Sequence, residues 1–269
     1  MSNSLVHFWE KFKIGEAPYI HPDDMSYKFK KGQTFLERDC VHKDEIDFRA
    51  FLKSERFGND EDTKYHLSNL PSPYKGDLER ADIYILLLNP GLSYTDYYGE
   101  YHSDSSLRRR LEANLRQDLG KTEFPFTWLD PNLCWHAGFM WWERKLRKVL
   151  RKIADKNHKG SYIDAMRSLS RRLACVEIVP YHSLKFKNSS FLHELPSVKA
   201  AKSFVRKTLL PGLESDNRTL IVTRQSKEWG LEKLDGKVIV YEGGQTRGAS
   251  LGPSTEGGRA ILSRFGIES

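Results

Sequence analysis

The run Ile83-Tyr84-Ile85-Leu86-Leu87-Leu88, stopped at once by Asn89-Pro90-Gly91, constrains this chain more than any other stretch. Apolar side chains at successive positions point to both faces of a strand, so the strand is buried on both faces, as in a parallel sheet. Pro90 cannot continue a hydrogen-bonded ladder, and Gly91 lets the backbone come close to whatever binds beside it. A carboxamide, Asn89, therefore follows the carboxyl end of a buried strand, the edge at which open α/β sheets bind ligands.

Four apolar runs read as strands, at 82–88, 174–180, 219–223 and 237–241. Helical patterns lie between them. Leu146, Val149, Leu150 and Ile153 recur at helical spacing among Arg144, Lys145, Arg147, Lys148, Arg151 and Lys152. Ala200, Phe204 and Leu209 mark a second helix, and Ala260, Ile261 and Leu262 a third that ends near Phe265. Strands alternating with helices predict an α/β fold with a four-stranded, mostly parallel sheet and right-handed crossovers. Residues 1–79 break the alternation. Their aromatics, among them Phe8, Trp9, Phe29, Phe35 and Phe51, are too many for a disordered tail. They predict an N-terminal extension packed on a core domain of residues 80–269. Leu70-Pro71-Ser72-Pro73-Tyr74-Lys75-Gly76-Asp77 reads as a turn-rich lead into the first strand.

No run approaches the roughly 18 apolar residues of a spanning helix. Met1-Ser2-Asn3-Ser4-Leu5 lacks the basic and apolar regions of a secretory signal. The expectation is a soluble, cytoplasmic monomer with no membrane partner. Three cysteines, Cys40, Cys134 and Cys175, argue against a disulfide framework and fall short of the four thiolates of an iron–sulfur cluster. Cys40-x-His42 and Cys134-x-His136 would make four zinc ligands if the fold joined them. That spacing is no standard finger, and unrelated thiols and histidines are the favoured reading, so neither metal nor cofactor is expected.

The net charge of +7, from 43 Lys and Arg against 36 Asp and Glu, is compatible with a nucleic-acid partner without requiring one. Arg108-Arg109-Arg110 and the stretch Glu143–Lys152 concentrate the cations. Arg144 and Lys148 there are candidate phosphate contacts, against the alternative of a solvated helix face. Phe124, Phe126, Trp128, Trp135, Phe139, Trp141 and Trp142 could stack on bases, but a packed core is the commoner use of such a cluster.

Leu88-Asn89-Pro90-Gly91-Leu92-Ser93 resembles the first motif of the uracil-DNA glycosylase superfamily, in particular its mismatch-specific uracil/thymine branch. The other reading of these residues is a strand followed by a Pro-Gly turn, with Asn89 a good turn former. The resemblance spans roughly residues 80–266. It implies a three-layer α/β fold and a monofunctional DNA glycosylase, which hydrolyses the N-glycosidic bond of a flipped-out base and leaves an abasic site. It implies that Asn89 positions the attacking water. An amide is a poor base, so catalysis would rest on placement and electrostatics. Pro90 and Gly91 would border the nucleotide, and one of Tyr97, Tyr98 and Tyr101, here taken as Tyr98, would stack on the base.

In that family the second strand carries an Asn that reads the edge of uracil. Aligning Val176-Glu177-Ile178-Val179-Pro180-Tyr181-His182 puts Glu177 at or near that position, with Tyr181 beside the pocket. A carboxylate accepts hydrogen bonds only and would repel O4 of uracil, whereas it suits the exocyclic amine of cytosine. The expected substrate is then a modified cytosine, with uracil or mismatched thymine expected if the register is slipped. The family's second motif, a His- or Asn-Pro-Ser loop, is matched weakly by Gly252-Pro253-Ser254. Its missing polar residue leaves His182 and Gln245 as candidates to stabilise the departing base. Arg247 or Leu251 would fill the vacated stack, and Ser254 would contact DNA. Base repair and removal of modified bases from phage DNA both fit. The alternative is a relative that binds DNA or RNA without catalysis; a nucleoside hydrolase would need no basic surface.

Overall fold

A computed structural model describes residues 4–268 except 31, 45, 103, 188–189, 216, 225 and 235–236, and leaves aside the side chains of 214, 215 and 247. The chain divides into two compact units. The first comprises residues 1–74, 89–117 and 177–208, the second 75–88, 118–176 and 209–269. Among the described residues no helix is long and apolar enough to cross a membrane.

The fold is α/β. Its strands are β1 (Tyr74–Lys75), β2 (Ile83–Leu87), β3 (Leu173–Glu177), β4 (Thr219–Val222) and β5 (Val238–Val240), in the sheet order β1-β3-β2-β4-β5. β2, β4 and β5 run parallel, and the register places Ile85 beside Ile221 and Ile221 beside Ile239. All three isoleucines are buried. β-branched side chains on neighbouring strands pack well on a pleated surface, which is why these apolar runs form strands.

The four expected strands are present, but the sheet is five-stranded and mixed rather than four-stranded and mostly parallel. The addition is β1, in the stretch expected to be a turn-rich lead. Glu177 N donates to Pro73 O at 2.9 Å and Ser72 N to Pro180 O at 2.8 Å. One chain index rises as the other falls, so this pairing is antiparallel. Pro71 and Pro73 cannot donate to a ladder, and β1 lies at the sheet's edge, where that is tolerated. A two-residue strand has no periodicity to detect.

In the second unit the helix Ala137–Asn157 buries Leu146, Val149, Leu150 and Ile153. Its outer face exposes Arg144, Arg147, Lys148, Arg151 and Lys152. Of the aromatic cluster, Phe124, Phe126, Trp128 and Trp142 are buried, so most of it is core. The first unit holds the helices Ser4–Trp9, Pro22–Ser26, Phe48–Lys53, Tyr94–Tyr101, Leu107–Leu115 and Pro196–Phe204. Residues 4–74 thus fold together with 89–117 and 177–208. Their interior includes polar side chains: His21, Asp24, Asp62, His66, Asn69 and Glu100 are all buried.

Candidate active site

The chain leaves β2 at Leu87, and Asn89 follows half-buried. Its Nδ2 donates to Ser183 Oγ at 2.9 Å, which fixes the amide plane. Among the described residues Oδ1 has no hydrogen-bond partner, so this atom is left to accept from a ligand. Gly91 takes φ +66°, a left-handed conformation that costs a glycine nothing. That turn allows Ser93 to start the helix Tyr94–Tyr101. Ser93 N and Oγ both donate to Asp96 Oδ2, at 2.7 and 2.9 Å. The motif's serine is therefore a helix cap.

His182 holds the same loop. Its Nδ1 lies 2.7 Å from Gly91 O and its Nε2 3.0 Å from Leu70 O. Both ring nitrogens are thus engaged with backbone, and the ring is buried. Tyr181, expected beside a substrate pocket, lies in the interior. Its hydroxyl donates to Asp24 Oδ2 at 2.5 Å and accepts from His21 N at 3.2 Å. Burial, with Asp24 adding to it, raises the phenol well above its ordinary range. Glu177 ends β3 with its side chain buried. Tyr98 is 37% exposed and meets Phe48 edge-on, whereas Tyr97 is buried and stacks on Phe51. Tyr101 is tied to Ser68 O.

Beside this loop lies a cluster of which the sequence singles out only His42, as half of a Cys-x-His pair. Asp62 Oδ2 lies 2.7 Å from His42 Nε2 and 3.0 Å from His66 Nε2. The bridge Val41–Tyr65 aligns the two histidines, each one residue further on. Burial opposes the charge on Asp62, but the bonds from His66, the Lys64 amide and His42 outweigh it and hold the carboxyl well below its usual range. Burial pushes His42 down to about 4 against the opposing bond to Asp62. It lowers His66 likewise, with the same bond opposing. The spacing Asp62-x-x-x-His66 is too common to single out, and Cys40-x-His42 points to a thiol that is not one of the three. Ser183, next to His182 in the chain, carries no motif that marks it as the partner of Asn89.

In the second unit, the carboxyl ends of β4 and β5 open into a cavity of about 490 Å3 lined by Arg224, Ser226, Lys227, Tyr241, Glu242 and Thr246. A larger one, about 880 Å3, borders Thr219 and Lys237 at the amino ends of the same strands. The carboxyl edge is the better candidate, because that is where α/β sheets take ligands. Gln245 is exposed on the adjoining turn of helix, Gln245–Gly248. The side chain of Arg247 lies outside the described residues. Leu251 is buried, so it is packed rather than presented for insertion. Ser254 is exposed, and its carbonyl accepts from Arg259.

The Gly252–Thr255 loop is a built helix start. Thr255 N donates to Gly252 O at 2.9 Å, and Thr255 Oγ1 accepts from Gly258 N at 3.1 Å. A Cβ at Gly258 would fall 1.9 Å from Gly252 O, so only glycine lets this loop close on its helix. Arg144 and Lys148 are exposed on the helix Ala137–Asn157, and Lys145 reaches Gly248 O. Of the two Cys-x-His pairs weighed against unrelated thiols and histidines, only His42 falls in a group of possible metal ligands among the described residues. Cys134 is exposed, while His136 caps that same helix, its Nδ1 accepting from Gly138 N at 2.9 Å. No family model, curated protein or solved structure matches this chain.

Proposed function

We propose that this protein is a DNA glycosylase that hydrolyses the N-glycosidic bond of a flipped-out base, with Asn89 positioning the water. The observation that carries the reading is the fixed carboxamide. Ser183 takes one amide proton, which leaves Oδ1 oriented to accept from a water. A held water needs no strong base when the bond breaks through an oxocarbenium-like state, since placement alone removes much of the barrier. Glu177, a buried acceptor at the end of β3, suits an amino-bearing base such as a modified cytosine. Arg144 and Lys148 supply sequence-independent phosphate contacts.

The test is a panel of oligonucleotides bearing uracil, mismatched thymine, or cytosines modified at the 5-position, glucosylated ones included. Alkali then cuts at abasic sites. One base is expected to be released, and Asn89→Ala is expected to lower the rate by roughly 100-fold or more through loss of the placed water. Ser183→Ala, which frees the amide to rotate, should lose less.

A second reading, a nucleic-acid-binding relative without catalysis, draws on Gly252. The resembling family has a His or Asn there, and in this chain the loop serves as a helix start. Binding that weakens steeply with salt, with no base released from any substrate, would assign the protein to that class.

A further inference from the structure

We propose that His42, Asp62 and His66 bind a divalent metal ion of the zinc class. One ligand atom from each residue lies within 4.8 Å of the other two. Both imidazole Nε2 atoms converge on a single carboxylate oxygen. Small outward shifts would seat an ion about 2.0–2.2 Å from each atom. The atoms turned away from that point are held as an outer shell holds metal ligands. Lys64 N donates to Asp62 Oδ1 at 2.9 Å, and the Tyr97 hydroxyl lies 2.9 Å from His66 Nδ1. Side-chain exposures of 15%, 6% and 2% for His42, Asp62 and His66 keep bulk water from competing.

The donor set selects the ion. Two imidazoles and one carboxylate suit zinc and its neighbours, whereas magnesium and calcium take oxygen ligands. Arg56 lines the same space, with its guanidinium 3.2 Å from the Asp44 carboxylate. Its charge opposes a cation of any kind nearby, so the ligands must supply the affinity. Three protein ligands leave a fourth tetrahedral position for water or a substrate atom. Asp62 and His66 border a space of about 10 Å3 together with Leu92, Ser93 and Tyr94, room for a single water. The site does not depend on the glycosylase reading. A hydrogen-bonded clamp of Asp62 on two rings would make the same contacts but take up no ion.

The full chain, stripped with a chelator and confirmed folded by circular dichroism, is titrated with zinc and with cobalt(II). The expected result is one ion per chain and a visible cobalt band of tetrahedral type. His42→Ala should abolish both. His42→Cys should restore uptake and add a thiolate-to-cobalt charge-transfer band, a readout that a purely structural clamp cannot give. Tyr97→Phe should weaken affinity roughly 10-fold or more, as loss of an outer-shell partner does. A folded, stripped chain that takes up no ion overturns the proposal. So does a His42→Ala variant that binds as tightly as wild type. If that variant does not fold, His42→Cys decides: uptake without the sulfur band places the ion elsewhere and overturns the site.

Discussion

The interior of the second unit is exemplified by Ile85, Ile221 and Ile239 side by side on three parallel strands. That of the first is exemplified by carboxylates and imidazoles: Asp24 under Tyr181 and Ser197, Glu100 under Asn69 and Leu70, and Asp62 between His42 and His66. Apolar burial is non-directional and tolerates imperfect partners. A buried polar network is stable only when each donor and acceptor is matched, and it responds to pH. The two interiors should therefore fail differently.

Glu100 gives the largest expected contrast. Burial raises its carboxyl from an ordinary 4.5 to about 8, against the bonds from Leu70 and Asn69 and the charge of Arg108. The folded chain then keeps a proton that the unfolded chain releases. The stabilisation is fully present below 4.5 and is lost as pH rises through about 8. The loss is on the order of 5 kcal/mol, at about 1.4 kcal/mol per unit. Denaturant midpoints across that window should fall for wild type and stay level for Glu100→Gln. Equal slopes for both chains would show that Asn69, Leu70 and Arg108 keep the carboxylate charged.

Ile85→Ala probes the other interior. Truncation deletes buried methyl groups and leaves a cavity between β2 and β4, at about 3 kcal/mol. Nothing in that row titrates, so the loss should be the same at low and high pH. A pH-dependent loss would break the contrast between the two interiors.

The same contrast explains what the sequence made legible. Strands β2 to β5 and the helix Ala137–Asn157 announce themselves because apolar residues recur at the period of the element that buries them. Asn89 was legible for a related reason, since a proline and a glycine ending an apolar run mark a sheet's carboxyl edge. The polar network has no such period. His42 is brought to Asp62 and His66 by the bridge of Val41 to Tyr65, and Tyr181 reaches Asp24 across 157 positions. Residue type suggested that Tyr181, His182 and Leu251 were available to a ligand. Only the fold shows the first two committed to buried hydrogen bonds and the third packed.

The smallest effects separate two neighbouring carboxylates in the first unit. Asp24 is buried; its Oδ1 accepts from Ser197 N at 2.9 Å and its Oδ2 from the Tyr181 hydroxyl. Burial raises its carboxyl above the ordinary range against those bonds. Asp24→Ala leaves two buried donors unmatched and should cost about 2 kcal/mol, read from thermal or denaturant unfolding. Asp23, the residue before it, meets Lys11 at 2.9 Å with both side chains at least 36% exposed. Its removal should cost less than about 1 kcal/mol and nothing measurable in high salt, because water already solvates both charges. If Asp23→Ala proved as costly as Asp24→Ala, charge rather than buried hydrogen bonding would be holding this interior, and the contrast with the isoleucine row would have to be redrawn in those terms.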